Sequence, residues 1–201
     1  MTPAGGPGPR GERSVLKRIM RGVLRLIRWK IVGEIPPHRK MVIIGAPHTS
    51  NWDFPLAMVV APALGLRIRW LGKHTLFRWP YAWFFRLLGG IPVDRTRAQG
   101  IIESSRQAFD EADDLILVIA PEGTRSRRDH WKSGFYRIAH AAGVPVVLVG
   151  IDGRNKTVVI GPHEVPGEDP RAYMDGLRAF YADFGGIKPD RVGPIRLRDE
   201  G

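Results

Sequence analysis

The stretch Met41-Val42-Ile43-Ile44-Gly45-Ala46-Pro47-His48-Thr49-Ser50-Asn51-Trp52-Asp53 joins an apolar run to a polar junction. Residues 41–46 read as a buried strand, and Thr49, Ser50 and Asn51 are residue types that cap helix N-termini. The spacing therefore predicts strand, short loop, then helix to residue 64, with Pro55 and Pro62 interrupting its continuity. Within that junction an imidazole precedes a carboxylate by five positions. If the helix begins near Ser50, Asp53 lies in its first turn and can turn back toward His48. Such a pair supplies a general base and its orienting partner. On this segment alone a capping or packing histidine and an ordinary first-turn acid explain the residues better.

The pattern continues outward in both directions. Strands are predicted over 67–71, 91–93, 115–120, 144–151 and 157–160. Helices are predicted over 76–88, 97–112, 131–142, stopped by Gly143, and 171–184. Repeated alternation implies an α/β fold, a mixed and mostly parallel sheet flanked by helices. In such folds, loops after strands carry the chemistry. The 201 residues, 43% of them hydrophobic, suit one well-cored domain. With no cysteine there is no disulfide framework, thiol nucleophile or cysteine metal site. No metal-ligand spacing occurs elsewhere, and His74, His140 and His163 read as structural or surface residues.

The net charge of +11 is unevenly placed: residues 10–30 carry eight cations against Glu12, leaving only +4 for the rest of the chain. That distribution, without a recognisable reader motif, argues against a nucleic-acid partner. Residues 1–13 begin with a Gly- and Pro-rich stretch and are predicted to be a disordered tail rather than a signal peptide. Residues 14–32 are predicted to form an amphipathic membrane-surface helix, with Arg21, Arg25 and Arg28 over lipid phosphates and Trp29 at its end. An ordinary helix packed on the domain, residues 33–201, fits the same pattern. No stretch reaches the roughly 20 apolar residues a spanning helix needs. The expectation is a cytoplasmic protein held peripherally on the inner face of the cell membrane, with an anionic membrane surface as partner.

Three more segments carry candidate chemistry. Gly89-Gly90-Ile91-Pro92-Val93-Asp94-Arg95 places an arginine after a short strand. Glu122-Gly123-Thr124-Arg125-Ser126 follows an apolar strand with a carboxylate, a hydroxyl and cations. Val144-Pro145-Val146-Val147 opens another buried strand. Taken singly, each reads equally as a helix cap, a polar turn or core.

Together with His48-x-x-x-x-Asp53, their order and spacing resemble the glycerolipid acyltransferase family, which includes the lysophosphatidate (1-acylglycerol-3-phosphate, PlsC-type) acyltransferases. The resemblance spans residues 41–151, and residues 131–139 also resemble the helix trailing the third motif. It implies acyl transfer from an acyl thioester, acyl-CoA or acyl carrier protein, to a hydroxyl of a lysophospholipid or related membrane lipid, with no tightly bound cofactor. It implies His48 as general base, Asp53 as its support, and Arg95, Glu122, Gly123, Thr124 and Arg125 as acceptor- or phosphate-binding positions. Arginine forks suit phosphate. Lys73 is a further candidate for anion contact. The aromatic residues Trp79, Trp83 and Phe84 are candidates for lining an acyl tunnel or for touching the membrane. Ala120 replaces a Phe often found before the third motif, and the fourth motif lacks the second proline of phosphatidate-forming members. A glycolipid or amino-lipid acceptor is therefore an alternative, as is a catalytically silent lipid-binding protein on the membrane surface.

Overall fold

The apolar runs meet at the centre of one sheet. The computed structural model describes residues 14–93 and 98–198. Its strands are β1 (Lys30–Val32), β2 (Lys40–Ala46), β3 (Ile68–Lys73), β4 (Gly90–Val93), β5 (Leu115–Ile119), β6 (Val146–Asp152) and β7 (Thr157–Glu164), in the order β1-β7-β6-β2-β5-β3-β4. Strand β2 is central: Ile44 stands opposite Ile119 of β5 on one side and Leu148 of β6 on the other. Five strands, β2 to β6, run parallel, whereas β7 returns antiparallel to β6 and β1 runs parallel to β7. The sheet is mixed and mostly parallel, as the alternating segments predict.

Six α-helices among the described residues flank the sheet: α1 (Ser14–Leu26), α2 (Asp53–Leu64), α3 (Ala82–Leu87), α4 (Ala98–Glu111), α5 (Gly134–Ala142) and α6 (Pro170–Tyr181). The two-residue repeat of the strands splits the core. Val42, Ile44, Val146 and Leu148 meet Phe109, Phe135, Ile138 and Leu177 on the face covered by α4, α5 and α6. Met41, Ile43, Ile116 and Val147 meet Ala61 of α2 on the opposite face. Helix α1 rests on α2 through Leu24, which packs with Leu56, Val60 and Ala63. Burying one such leucine contributes about 1.5–3 kcal/mol. Local chemistry sets the ends: Gly143 closes α5 at φ 60°, and Asp169 caps α6 by accepting from Arg171 N and Ala172 N. Pro55 sits in the first turn of α2, where its missing N–H costs nothing, and Pro62 is absorbed near the other end.

Several predicted elements differ from what forms; β7 runs to Glu164 instead of residue 160, and α5 begins at Gly134 instead of residue 131. The N-terminal helix ends at Leu26 rather than running to residue 32. Arg28 adopts a left-handed φ of 62°, and residues 30–32 become β1, paired with β7. Helix 76–88 is replaced by a 3-10 turn, His74–Phe77, and the short α3, separated by a segment containing Pro80. Strand 67–71 is shifted to Ile68–Lys73, so Lys73 ends the strand instead of following it. The predicted tail and Arg95 lie outside the described residues. No helix among the described residues is long and apolar enough to cross a membrane.

Candidate active site

Parallel strands present their C-terminal ends at one edge of the sheet, and adjacent strands β2 and β5 deliver the two central loops there. Pro47 to Trp52 leave β2, and Ala120 to Arg125 leave β5. Asp53, at the first position of α2, is buried with 4% of its surface exposed. Its Oδ2 accepts from the backbone N–H of Thr49 (2.8 Å) and of Ser50 (2.7 Å) and lies 3.0 Å from His48 Nδ1. Three donors converge on one oxygen, so the carboxylate cannot turn without losing them all. A hydrogen bond from Nδ1 fixes the imidazole tautomer in which Nε2 is an acceptor. The His48 side chain retains 20% exposure, enough for a substrate to reach Nε2.

Glu122 holds the same histidine from the other side. Its Oε1 accepts from the His48 backbone N–H at 2.9 Å. Burial pushes the Glu122 carboxyl up, opposed by the backbone N–H groups of His48 and Glu122 and by the His48 ring, while Asp53 raises it further. Although the residue is only partly buried, its Oε2 is sealed from solvent and lacks a partner among the described residues, as does Asp53 Oδ1. The site thus keeps two unused carboxylate oxygens beside the imidazole. Gly123, at φ 66°, lets the chain turn past Lys132: a Cβ there would fall 2.9 Å from Lys132 Cε. Thr124 is half-buried, with its Oγ1 3.4 Å from Ser126 N, and Arg125 is exposed.

Lys73 ends β3 at the same edge of the sheet and is exposed. Trp29 is half-buried against the cluster around Leu24, so it belongs to the packing of α1. Arg21 is exposed but donates to Ala63 O of α2 at 3.2 Å, tying the two helices. Arg25 and Arg28 are exposed. Trp79, Trp83 and Phe84 are exposed and are not among the residues that line the cavity under α2.

The apolar cavity lies elsewhere, between α2 and the sheet. It measures ≈ 80 Å³ and runs from Asp53 past Leu56, Ala57 and Ala61 to Leu64 and Leu66, floored by Ile43, Gly45, Val118 and Val149. Gly45 supplies no side chain at its floor, and a Cβ there would meet nothing within 4 Å. The periodicity of residues 53–64 marks a buried helix but does not say that a gap remains beneath it.

Sequence reasoning also misses a strap from the C-terminal end of the chain. Lys188 N donates to Thr49 Oγ1 at 3.0 Å, Gly186 lies so near that a Cβ would fall 2.7 Å from that oxygen, and Arg191 Nη1 reaches Thr49 O at 3.5 Å. The same strap meets the second loop, where Arg127 Nη1 donates to Val192 O. The six residues 186–191 carry no motif, and only the unusual Gly185-Gly186 pair hints at close approach.

Comparison with known proteins gives the family and the fold. The model of the Acyltransferase family matches residues 28–152. The chain is 28% identical over 142 residues to a 1-acyl-sn-glycerol-3-phosphate acyltransferase of Streptococcus pneumoniae, covering 67% of this chain and 53% of that protein. It thus spans about half the length of that relative. Its fold is similar to that of PlsC, the 1-acyl-sn-glycerophosphate (LPA) acyltransferase of Thermotoga maritima, with a TM-score of 0.54 at 22% identity over 83% of this chain and 73% of that one.

Proposed function

We propose that this chain, which belongs to the acyltransferase family, moves a fatty acyl group from an acyl thioester to a hydroxyl of a lysophospholipid. The observation that carries the reading is Asp53 Oδ2, held by Thr49 N and Ser50 N and 3.0 Å from His48 Nδ1. With Nδ1 donating to Asp53, Nε2 takes the proton of the acceptor hydroxyl as its oxygen attacks the thioester carbonyl. The tetrahedral intermediate collapses by breaking the carbon–sulfur bond, and the imidazolium returns its proton to the departing thiolate. Asp53 stabilises the imidazolium between those steps. No nucleophile from the protein is needed.

The cavity under α2 lies where the acyl chain of the thioester would enter, its ≈ 80 Å³ being room for the start of the chain. It begins at Asp53, beside the base, and α2 covers it for about 18 Å at 1.5 Å per residue. Its lining supports this role better than the exposed Trp79 and Trp83 do. The acceptor approaches from the β5 side, where Thr124 offers a hydroxyl and Arg125 a fork for phosphate. The S. pneumoniae relative acts, by its name, on an acylglycerol phosphate, which favours a phosphate-bearing acceptor over a glycolipid.

Thiol release from acyl-CoA, with and without lysophosphatidate, tests the reading. Wild type should turn over only when acceptor is present, and His48→Ala should fall by about 10²–10⁴-fold. Equal rates in wild type and folded His48→Ala would sink it. Repeating the assay with acyl carrier protein as donor distinguishes the two thioesters.

A further inference from the structure

The strap that seats Thr49 is anchored well beyond that one contact. Before it, the Phe184 ring packs so closely on β6 that a Cβ at Gly150 would fall 2.5 Å from it. Gly186 then pairs with the end of β6, its N–H donating to Ile151 O at 2.9 Å and its carbonyl accepting from Gly153 N at 3.0 Å. After it, Leu197 is buried in the core cluster that holds Trp131 and Phe135. Burial therefore fixes the segment to the body of the protein at both ends, and the path between them is set.

That path crosses the ends of three adjacent strands, β6, β2 and β5. Over β2, Lys188 N donates to Thr49 Oγ1 at 3.0 Å. Over β5, Arg127 Nη1 donates to Val192 O at 2.6 Å, and a Cβ at Gly193 would collide with Arg128 O. Further along, Arg196 Nε donates to Asp129 O at 2.8 Å and its carbonyl accepts from Trp131 N at 2.7 Å. Lys132 N closes the same loop on Pro121 O at 2.8 Å, the residue before Glu122.

These bonds stop one step short of the imidazole on each side. Thr49, 1% exposed, turns its hydroxyl to the strap and its N–H to Asp53 Oδ2. On the β5 side Glu122 Oε1 accepts from His48 N. The two loops thus meet His48 from opposite directions, and one segment bonds to both. Proton transfer between positioned groups is steep in distance, a misplacement of about 1 Å costing about 10²-fold.

We infer that residues 186–197 are a positioning strap that holds the His48–Asp53 loop and the Glu122 loop at a fixed spacing, with Thr49 and Arg127 as positioning residues. The strap acts through those loops and not on a substrate, so it governs kcat more than KM. It lies beyond residues 28–152, the part that the family model matches. The inference rests on the proposed acyl transfer, but one of its readouts needs no turnover, so that either can fail alone.

The full-length chain tests it through Thr49→Val, Arg127→Ala and their combination. In thiol release, Thr49→Val should lower kcat about tenfold or more and leave KM for donor and acceptor within about twofold. Thr49→Ser, which keeps the hydroxyl, should recover most of that loss. Cutting either tie slackens the same strap, so the double variant should fall little below the slower single one, and not to the product of the two losses. Amide hydrogen exchange gives the readout without turnover. Arg127→Ala should speed exchange at Thr49 N and Ser50 N by about tenfold or more, although the bond it removes is on the other loop, while the amides of β2 stay protected. Unchanged exchange at 49 and 50, a raised KM at constant kcat, multiplicative losses in the double variant, or a Thr49→Ser protein as slow as Thr49→Val would each overturn the inference.

Discussion

The loop 47–52 and the segment 74–87 leave parallel strands β2 and β3 at the same edge of the sheet, yet they end in opposite states. In the first, Thr49, Ser50 and Asp53 are buried and each has hydrogen-bond partners. In the second, rings that could bury themselves stand in the open, Trp79 at 91% exposure. A strand end decides where a side chain arrives. Its surroundings decide whether it is held by several donors, as Asp53 is, or left exposed, as Trp79 is.

The largest effect should come from releasing the carboxylate. Asp53→Asn places an amide where one oxygen accepted three donors, and turnover should fall by about 10²-fold or more while the fold survives. An Asp53→Asn protein with near-normal thiol release would break the comparison at its stronger side. Next comes the cavity. Gly45→Leu should fill its floor, raising KM for long-chain thioesters at least tenfold and sparing short-chain ones; equal effects on both would place the acyl chain elsewhere.

Stability should separate the regions as well. Thr49→Val strips a buried hydroxyl from Lys188 N and should cost about 1–2 kcal/mol in urea unfolding, whereas Trp79→Ser should stay within about 0.5 kcal/mol. Similar losses from both would show that the displayed ring is packed after all. The smallest effect concerns Glu122. Its carboxyl is raised above the ordinary 4.5 by burial, so the native chain keeps that proton to higher pH than the unfolded chain does. The resulting stabilisation is complete below the unfolded value and is lost as pH rises through the native one. Glu122→Gln does not titrate, so its stability relative to wild type should improve as pH rises above 4.5; parallel urea midpoints would contradict this.

Much of the site was legible because its signals are local. The strand before His48, the first-turn position of Asp53 and the polar loop after β5 follow from residues within a few positions of each other. The misses are mostly non-local. Residues 30–32 continue the apolar spacing of α1, but pairing with Thr157 to Val159 satisfies their backbone as strand. Residues 76–88 are rich enough in apolar side chains for one helix, but Pro80 and the platform around Trp70 divide them.

The sequence by itself determined the α/β order, the concentration of cations in residues 10–30 and the pairing of an imidazole with a carboxylate, since each depends on spacing and composition alone. Tertiary structure decided that Glu122 grips the backbone of His48, that a strap from residues 186–191 locks Thr49, and that an apolar cavity under α2 reaches Asp53. Those outcomes depend on which surfaces meet across tens of residues. Periodicity records only which side of an element is apolar, and not what comes to cover it.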